Sequence, residues 1–163
     1  MLSHVALQNR SVRDEMSDWI ADDFQAEFWV AKLAIVEATN TALGRHGVHA
    51  GQQFVLASLW HEDGLTPAEL ARRVGTSPPT ITRMVARMEG SGLLERRSDS
   101  GDRRLVRVFL TSRGRELEGV LNKELSELSK VALDGLSPTE RSDLVRNMRT
   151  VRENLERNRG GKR

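Results

Sequence analysis

Arginine is the residue type in this sequence that could do the most chemistry. Residues 72–115 contain eleven basic side chains, all of them arginine, and only four acidic ones, whereas residues 1–71 contain four basic and ten acidic side chains. A guanidinium group is planar, stays charged and donates two parallel hydrogen bonds to a phosphate or to the edge of a base. The alternative is a solvated basic face. The spacing of the arginines has to decide between the two interpretations.

Arg83 and Arg87 are one helical turn apart in a segment that begins at Thr76-Ser77-Pro78-Pro79 and ends near Gly90. Its apolar residues recur every three or four positions: Ile81, Met84, Val85 and Met88. This spacing predicts a helix with one face in the core, which places Arg83 and Arg87 on the outward face. The segment therefore has the properties of a helix that reads double-stranded DNA in the major groove.

The start of the same helix adds hydroxyl groups to the guanidinium groups. Ser77 and Thr80 lie in the first turn, where backbone amides lack helical partners and suit a phosphate or a base edge. Thr82 flanks the outward face and is a further candidate for DNA contact. The DNA-binding candidates on the helix are Ser77, Thr80, Thr82, Arg83 and Arg87.

A predicted hairpin follows this helix. Residues 93–97 and 105–110 are rich in strand-forming residues, and Asp99-Ser100-Gly101-Asp102 between them is a turn signal. Arg103 and Arg104 at the tip are DNA-binding candidates, because an arginine there can enter a narrow A·T-rich minor groove. Asp102 would be repelled by phosphate, so we expect it to pair with one arginine and orient it.

The remaining elements are helices whose order identifies the architecture. A long amphipathic helix is predicted from Ser11 to about Leu43, then shorter helices over 51–61 and 66–74, and two more after the hairpin, starting at Thr111 and Ser137. Helix, turn, helix and then a two-stranded hairpin is the winged helix-turn-helix order. We therefore predict a mainly α fold with a two-stranded β wing, flanked by long N- and C-terminal dimerisation helices.

The first helix and the last two helices expose more apolar surface than the 44-residue basic segment, residues 72–115, can cover. These flanking helices therefore require a partner surface. A homodimer would place two reading helices roughly 34 Å apart and predicts a pseudo-palindromic site. The alternative is a monomer in which these helices pack on each other.

Over about residues 15–155 the sequence resembles the MarR family of bacterial winged-helix transcriptional regulators. The most specific segments are the wing DSGDRR, Asp99 to Arg104, and LTSRG, Leu110 to Gly114. Family wings often carry arginine where this chain has Gly101, so one contact is expected to be missing. The resemblance implies that Ser77 to Gly90 is the recognition helix, with Thr80, Thr82 and Arg83 near bases, that Arg103 lies at the minor groove, and that the protein is a homodimer.

These expectations define one domain with several parts. The predicted boundaries are 11–156 for the domain, 11–50 for the N-terminal dimerisation helix, 51–115 for the winged-helix lobe with the helix-turn-helix at 66–90 and the wing at 93–110, 111–156 for the C-terminal dimerisation helices and 157–163 for a basic tail.

Family members commonly respond to small aromatic or phenolic acids, which implies an effector pocket. Its candidate residues are Trp19, Phe28, Trp29, Trp60 and His61, although aromatic residues at helical spacing also occur as plain core. The chain has no cysteine, which excludes disulfides, thiolate metal sites and thiol oxidation. No catalytic, metal-binding or cofactor-binding pattern stands out. No secretory signal or membrane-length apolar run is present, so we expect a cytoplasmic protein.

The sequence as a whole predicts a sequence-specific DNA-binding transcriptional regulator, a homodimeric repressor released by a small aromatic ligand. Two alternatives remain open. One is an architectural protein that binds DNA by charge alone, and the other is a winged-helix protein-interaction module.

Overall fold

The structure is a computed structural model that describes residues 22–99, 101–102 and 104–160. Trp19, Arg103 and the first part of the predicted N-terminal helix, residues 11–21, lie outside the described residues. The chain forms two compact units, residues 1–126 and 127–163, which are treated separately below.

The described residues form helices with one two-stranded sheet, as the sequence predicts. The helices and strands are α1 (Asp23–Gly44), α2 (Gln52–His61), α3 (Pro67–Val74), α4 (Pro78–Gly90), β1 (Leu94–Ser98), β2 (Val106–Leu110), α5 (Ser112–Ala132) and α6 (Pro138–Gly160). The order is that of a winged helix-turn-helix, with α3 and α4 as the helix pair and the β1–β2 hairpin as the wing.

One boundary differs from the prediction. A single unbroken helix from Ser11 to Leu43 is wrong at Asp22, whose backbone is extended and whose carboxylate accepts a hydrogen bond from the amide of Gln25 at 2.9 Å. Aspartate favours this capping position because its side chain satisfies an amide that lacks a helical partner. The helix α1 therefore begins at Asp23.

The start of α3 follows from its own sequence. The Thr66 hydroxyl accepts from the amide of Glu69 at 3.3 Å, and a carboxylate oxygen of Glu69 accepts from the amide of Thr66 at 2.8 Å. These two hydrogen bonds form a capping box at the start of α3. The hydrogen bonds from Thr66 lower the pKa of Glu69, since they favour its charged form. Gly75 ends α3 in the left-handed conformation.

The core of the first unit lies beneath the helix-turn-helix and the base of the wing. The helix α4 contributes Ile81, Val85 and Met88, all buried, while Met84 packs against the core half-buried. The other fully buried large residues come from every neighbouring element: Leu43, Val48, Val55, Leu56, Leu59, Leu70, Leu93, Leu94 and Leu121. The inward face of α4 thus agrees with the predicted spacing, and the opposite face is exposed.

The two strands pair antiparallel, with Leu94 opposite Leu110 and Ser98 opposite Val106. An isolated bridge between Leu65 and Val108 adds the α2–α3 connection to the edge of β2. A two-stranded hairpin alone is marginally stable. The bridge therefore ties the wing to the helix-turn-helix.

In the second unit, α6 starts as predicted, because Ser137 and Glu140 form the same reciprocal cap as Thr66 and Glu69. Its apolar side chains are exposed: Leu144, Val145, Met148 and Leu155 are 40% to 62% accessible. The helix continues through Gly160 and so includes the first residues of the segment 157–163 that the sequence analysis treats as a tail. In the part of the chain described, none of the helices has the length and apolar character needed to cross a membrane.

Candidate nucleic-acid interface

The N-terminus of α4 is closed by Ser77. The Ser77 hydroxyl accepts from the amide of Thr80 at 3.4 Å, and the hydroxyl oxygens of Ser77 and Thr80 lie 2.8 Å apart. The Thr82 hydroxyl donates to the carbonyl of Pro78 at 2.9 Å. The donor of Thr82 is therefore used within the helix, and this side chain is left with acceptor capacity and a methyl group.

Arg83 and Arg87 lie on the exposed face of α4, as predicted. Together they line a groove of about 370 Å³ between α4 and the start of α2, whose other walls are His49, Ala50, Gln52, Thr80 and Met84. Both guanidinium groups lack hydrogen bonds and ion pairs within the residues that the structure describes. They are free to meet a ligand.

Most of the other arginines in the basic segment already have partners. The ion pairs are Arg73 with Glu62, Arg96 with Glu89, Arg97 with Glu95, Arg107 with Asp99 and Arg115 with Asp63. Arg113 donates to two backbone carbonyls instead. Among the described arginines of this segment, the ones whose side chains form no hydrogen bond or ion pair are Arg72, Arg83, Arg87 and Arg104. After the hydrogen bonds from Thr66, the positive charge of Arg72 makes a smaller contribution to the lowered pKa of Glu69.

The turn of the wing is organised by Asp99, which the sequence analysis did not single out. One carboxylate oxygen accepts from the amides of Gly101 at 2.8 Å and Asp102 at 3.0 Å, and the other pairs with Arg107 on β2. The hydrogen bond from Arg107 and then the two amides lower the pKa of Asp99 from 3.8 to about 2. The available signal was an aspartate two residues before a glycine, which is typical of a side chain that closes its own turn.

Asp102 contacts the backbone of the wing turn. Its carboxylate accepts from the backbone amide of Arg104 at 2.9 Å and forms no ion pair with the guanidinium of Arg104. It thus shapes the backbone that carries Arg104. Whether it pairs with Arg103 stays a prediction, because Arg103 lies outside the described residues.

The base of the wing is fastened to the turn between α2 and α3. Arg107 donates to the carbonyl of Gly64 at 2.9 Å, and the Gly64 amide donates to the carbonyl of Val108 at 3.1 Å. Gly64 has a φ of +78°, and a Cβ there would lie 2.7 Å from the ring of Phe109. The Arg97 guanidinium covers that ring at 4.8 Å from its centroid. Glycine is therefore required both by conformation and by space.

Asp63, next to Gly64, makes a second attachment. Its carboxylate accepts from the amide of Leu110 at 2.9 Å and pairs with Arg115 at 3.0 Å. The two attachments connect the α2–α3 turn, the wing and the start of α5. As a result, the α2–α3 turn holds both the base of the wing and the start of α5 within the first unit.

The effector-pocket candidates lie in several surroundings. Phe28 and Trp29 are both 41% exposed on α1 and contact each other edge to face at 5.4 Å, with Lys32 over the Trp29 ring. Trp60 packs against the core and donates to the carbonyl of Gly114 at 2.9 Å. His61 lines a separate groove of about 410 Å³ with Phe54, Ala57, Ser58, Arg73 and Val74. Trp19 lies outside the described residues. A shared effector pocket for these side chains stays a prediction.

Known proteins resemble this chain in sequence and in fold. Residues 49–106 match the sequence pattern of the MarR family. The HTH-type transcriptional regulator TtmR of Methylorubrum extorquens (strain PA1) is 32% identical over 127 residues, which is 78% of this chain and 64% of that protein. The chain therefore spans just under two thirds of the length of this relative.

Two solved structures share the fold over most of the chain. The transcriptional regulator SlyA superposes with a TM-score of 0.74 at 23% identity, over 84% of this chain and 96% of that one. MepR of S. aureus, solved as a complex with DNA, gives 0.73 at 20% identity, over 82% of this chain and 98% of that one. Residues 49–106, which include the helix-turn-helix and most of the wing, thus match the MarR family, and the chain shares the fold of these solved structures.

Proposed function

We propose that this protein is a transcriptional regulator that binds a specific site on double-stranded DNA. The observation that carries the proposal is the separation of the arginines by partner. Arg83, Arg87 and Arg104 leave their guanidinium groups free within the described residues, and they lie on the helix and the hairpin that a winged helix turns towards DNA. Arg96, Arg107 and Arg115 are instead paired with carboxylates.

The proposed docking places α4 in the major groove. A helix about 10 Å across enters a groove about 12 Å wide, and the hairpin then lies over the adjacent backbone or minor groove. Arg83 and Arg87 would donate to guanine edges or phosphates, and Ser77 and Thr80 would lie near the backbone at the start of the helix. Thr82 would accept a hydrogen bond or contact a thymine methyl group. Arg104, with Arg103 beside it in sequence, would serve the minor groove.

The protein acts as a homodimer in this proposal. The helix α1 exposes large apolar side chains that find no cover within the described residues: Phe24, Phe28, Trp29, Leu33, Ile35 and Val36. In the second unit, α6 exposes Leu144, Val145, Met148 and Leu155 in the same way. Exposed apolar surface of this extent marks an interaction site. A two-fold axis through such an interface would match a pseudo-palindromic operator.

Regulation completes the proposal. The dimer represses transcription, and a small aromatic ligand releases it from DNA by binding more tightly to a form in which both reading helices cannot occupy successive major grooves. The support is the exposed aromatic cluster on α1, where Phe28 stacks on Phe24 and contacts Trp29 edge to face. A ligand added to the protein–DNA complex should therefore lower its affinity without competing at Arg83.

Selection of bound duplexes from a random pool tests the proposal. A preferred two-fold-related sequence should emerge, and its affinity should exceed that of a random duplex by 10³ or more at physiological salt. A ratio below roughly 10 would favour an architectural protein that binds by charge. No binding to any duplex, with the protein folded, would favour a protein-interaction module.

A further inference from the structure

Arg113, in the first turn of α5, bridges two distant backbone segments. Its Nη1 donates to the carbonyl of Ser91 at 2.7 Å, and its Nη2 donates to the carbonyl of His46 at 3.3 Å. Ser91 is the C-cap residue that follows α4, and His46 lies in the connection between α1 and α2. One side chain thus contacts the end of the proposed reading helix and the segment that precedes the helix-turn-helix.

The Ser91 carbonyl is a favourable place for a cation. The last carbonyls of a helix carry the negative end of its dipole and lack helical partners, so a guanidinium there both donates and neutralises. The Ser91 amide in turn donates to the carbonyl of Arg87 at 3.0 Å. The contact therefore reaches the helical turn that carries Arg87.

Other contacts at and near α5 hold the same two backbone segments. The Thr111 hydroxyl donates to the carbonyl of Gly92 at 2.7 Å, and a Cβ on Gly114 would lie 2.3 Å from the carbonyl of Leu93. Glu124, further along α5, approaches the His46 ring at 3.3 Å. The connection after α4 and the connection before α2 are thus both held by α5, and Arg113 is the residue that touches both backbones.

We propose that Arg113 is a positioning residue for DNA recognition, which holds α4 at the angle the operator requires and makes no contact with DNA itself. The inference rests on the proposed function. Composition alone would count Arg113 with the DNA-binding arginines, because it belongs to the same basic segment. Its two terminal nitrogens are instead occupied by carbonyls, whereas those of Arg83 and Arg87 have no such partner in the described part of the chain.

The test measures affinity of the full chain for the selected duplex and for a random duplex at several salt concentrations. Arg113→Ala should lower affinity for the selected duplex about tenfold, the equivalent of one charge-assisted hydrogen bond, and leave the random duplex nearly unchanged. Its slope of log affinity against log salt should equal that of the unmodified protein. Arg83→Ala should instead make the slope shallower by about one, if Arg83 meets a phosphate.

Two further variants separate positioning from simple loss of stability. Arg113→Lys should recover part of the specificity, because an ammonium group can serve one of the two carbonyls. Trp60→Phe removes the hydrogen bond to the Gly114 carbonyl and should lower the unfolding temperature without lowering the specificity ratio. If Trp60→Phe lowers that ratio as much as Arg113→Ala does, or if the Arg113→Ala slope falls by about one, the positioning role is overturned.

Hydrogen exchange of the free protein makes the proposal testable without DNA. Amides at the end of α4, residues 87–91, should exchange faster in Arg113→Ala than in Trp60→Phe, since only the first variant releases the Ser91 carbonyl. Equal exchange would overturn the positioning role whatever the DNA results are. If the unmodified protein shows no preferred duplex but exchange at α4 responds as expected, the proposed function fails while the structural role of Arg113 stands.

Discussion

Arg83 and Arg87 leave their guanidinium groups in solvent, whereas Arg96 pairs with Glu89 and Arg107 pairs with Asp99. A paired guanidinium has exchanged part of its hydration for a protein carboxylate. If it bound DNA instead, that carboxylate would be left unpaired near the negatively charged phosphates. A free guanidinium loses no such partner. The pairing of each side chain, more than the local density of arginine, therefore determines its availability to DNA.

Arg83→Ala should weaken binding to the selected duplex by about 1–3 kcal/mol and relax the base preference at one position of each half-site. Fluorescence anisotropy with labelled duplex measures both effects. The matched control is Arg45→Ala, which removes one positive charge whose guanidinium already faces the Ala42 carbonyl and Glu124. An equal loss in both variants would mean that net charge alone accounts for binding.

Asp99 should give the stability of the protein a pH dependence at the acid end. Its pKa is about 2 in the folded chain against an ordinary 3.8, so the stabilisation is complete above 3.8 and is lost as the pH falls towards 2. Urea unfolding should show that the difference in midpoint between the unmodified protein and Asp99→Asn is constant above about pH 5 and shrinks below pH 4. A difference that persists unchanged at pH 2 would contradict the role of the Asp99 carboxylate.

At the scale of elements, the wing depends on its attachment to the α2–α3 turn as much as on the pairing of its own strands. Two strands of five residues each would be marginal alone, and the bridge from Leu65 to Val108 and the hydrogen bonds of Asp63 fasten them to the α2–α3 turn. The helix α4 is held by its buried face and by the hydrogen bond from Arg113 to the Ser91 carbonyl at its C-terminal end. The wing and α4, the two elements of the proposed interface, are thus both held by contacts within the first unit.

Gly64→Ala should destabilise the protein more than Gly75→Ala. Both glycines have positive φ, +78° and +72°, so each substitution costs about 1–2 kcal/mol of backbone strain. A Cβ at Gly64 also meets the Phe109 ring at 2.7 Å, whereas a Cβ at Gly75 has nothing within 4 Å. Urea denaturation measures the two free energies of unfolding. Equal losses would show that the ring yields freely and that the wing base is not tightly packed.

At the scale of the whole molecule, exposed apolar surface is the feature that the described chain does not explain by itself. Phe24, Phe28 and Trp29 on α1, and Val145 and Met148 on α6, are each 41% or more exposed. Charged residues elsewhere on α6 keep its remaining surface hydrated. In the proposed function a second copy of the chain covers this surface, and the resulting two-fold axis would match a pseudo-palindromic operator.

Met148→Glu should therefore shift the protein from dimer to monomer in sedimentation equilibrium and weaken operator binding. Thr150→Glu is the matched control, since it adds the same charge to α6 about 200° around the helix. We expect the control to remain dimeric. A protein that is monomeric before any substitution would contradict the dimer proposal.

The architecture could be read from the sequence because most of its determinants are local. Thr66 to Glu69 and Ser137 to Glu140 contain the whole of their helix starts, and the core face of α4 follows from spacing along one helix. The predicted start of α1 is wrong, because the amphipathic pattern continues through Asp22 and gives no sign of the N-cap there. Periodicity describes which face is apolar and is a weaker guide to where the helix begins.

By itself the sequence determined the winged-helix order, the buried and exposed faces of α4 and the concentration of arginine around it. Only the tertiary structure decided which arginines are free, that Asp99 rather than Asp102 holds the turn through Arg107, and that Arg113 joins Ser91 to His46. The physical reason is distance along the chain. Caps and faces depend on residues within a few positions, whereas the partner of a long charged side chain depends on which remote segment the fold brings within about 3 Å.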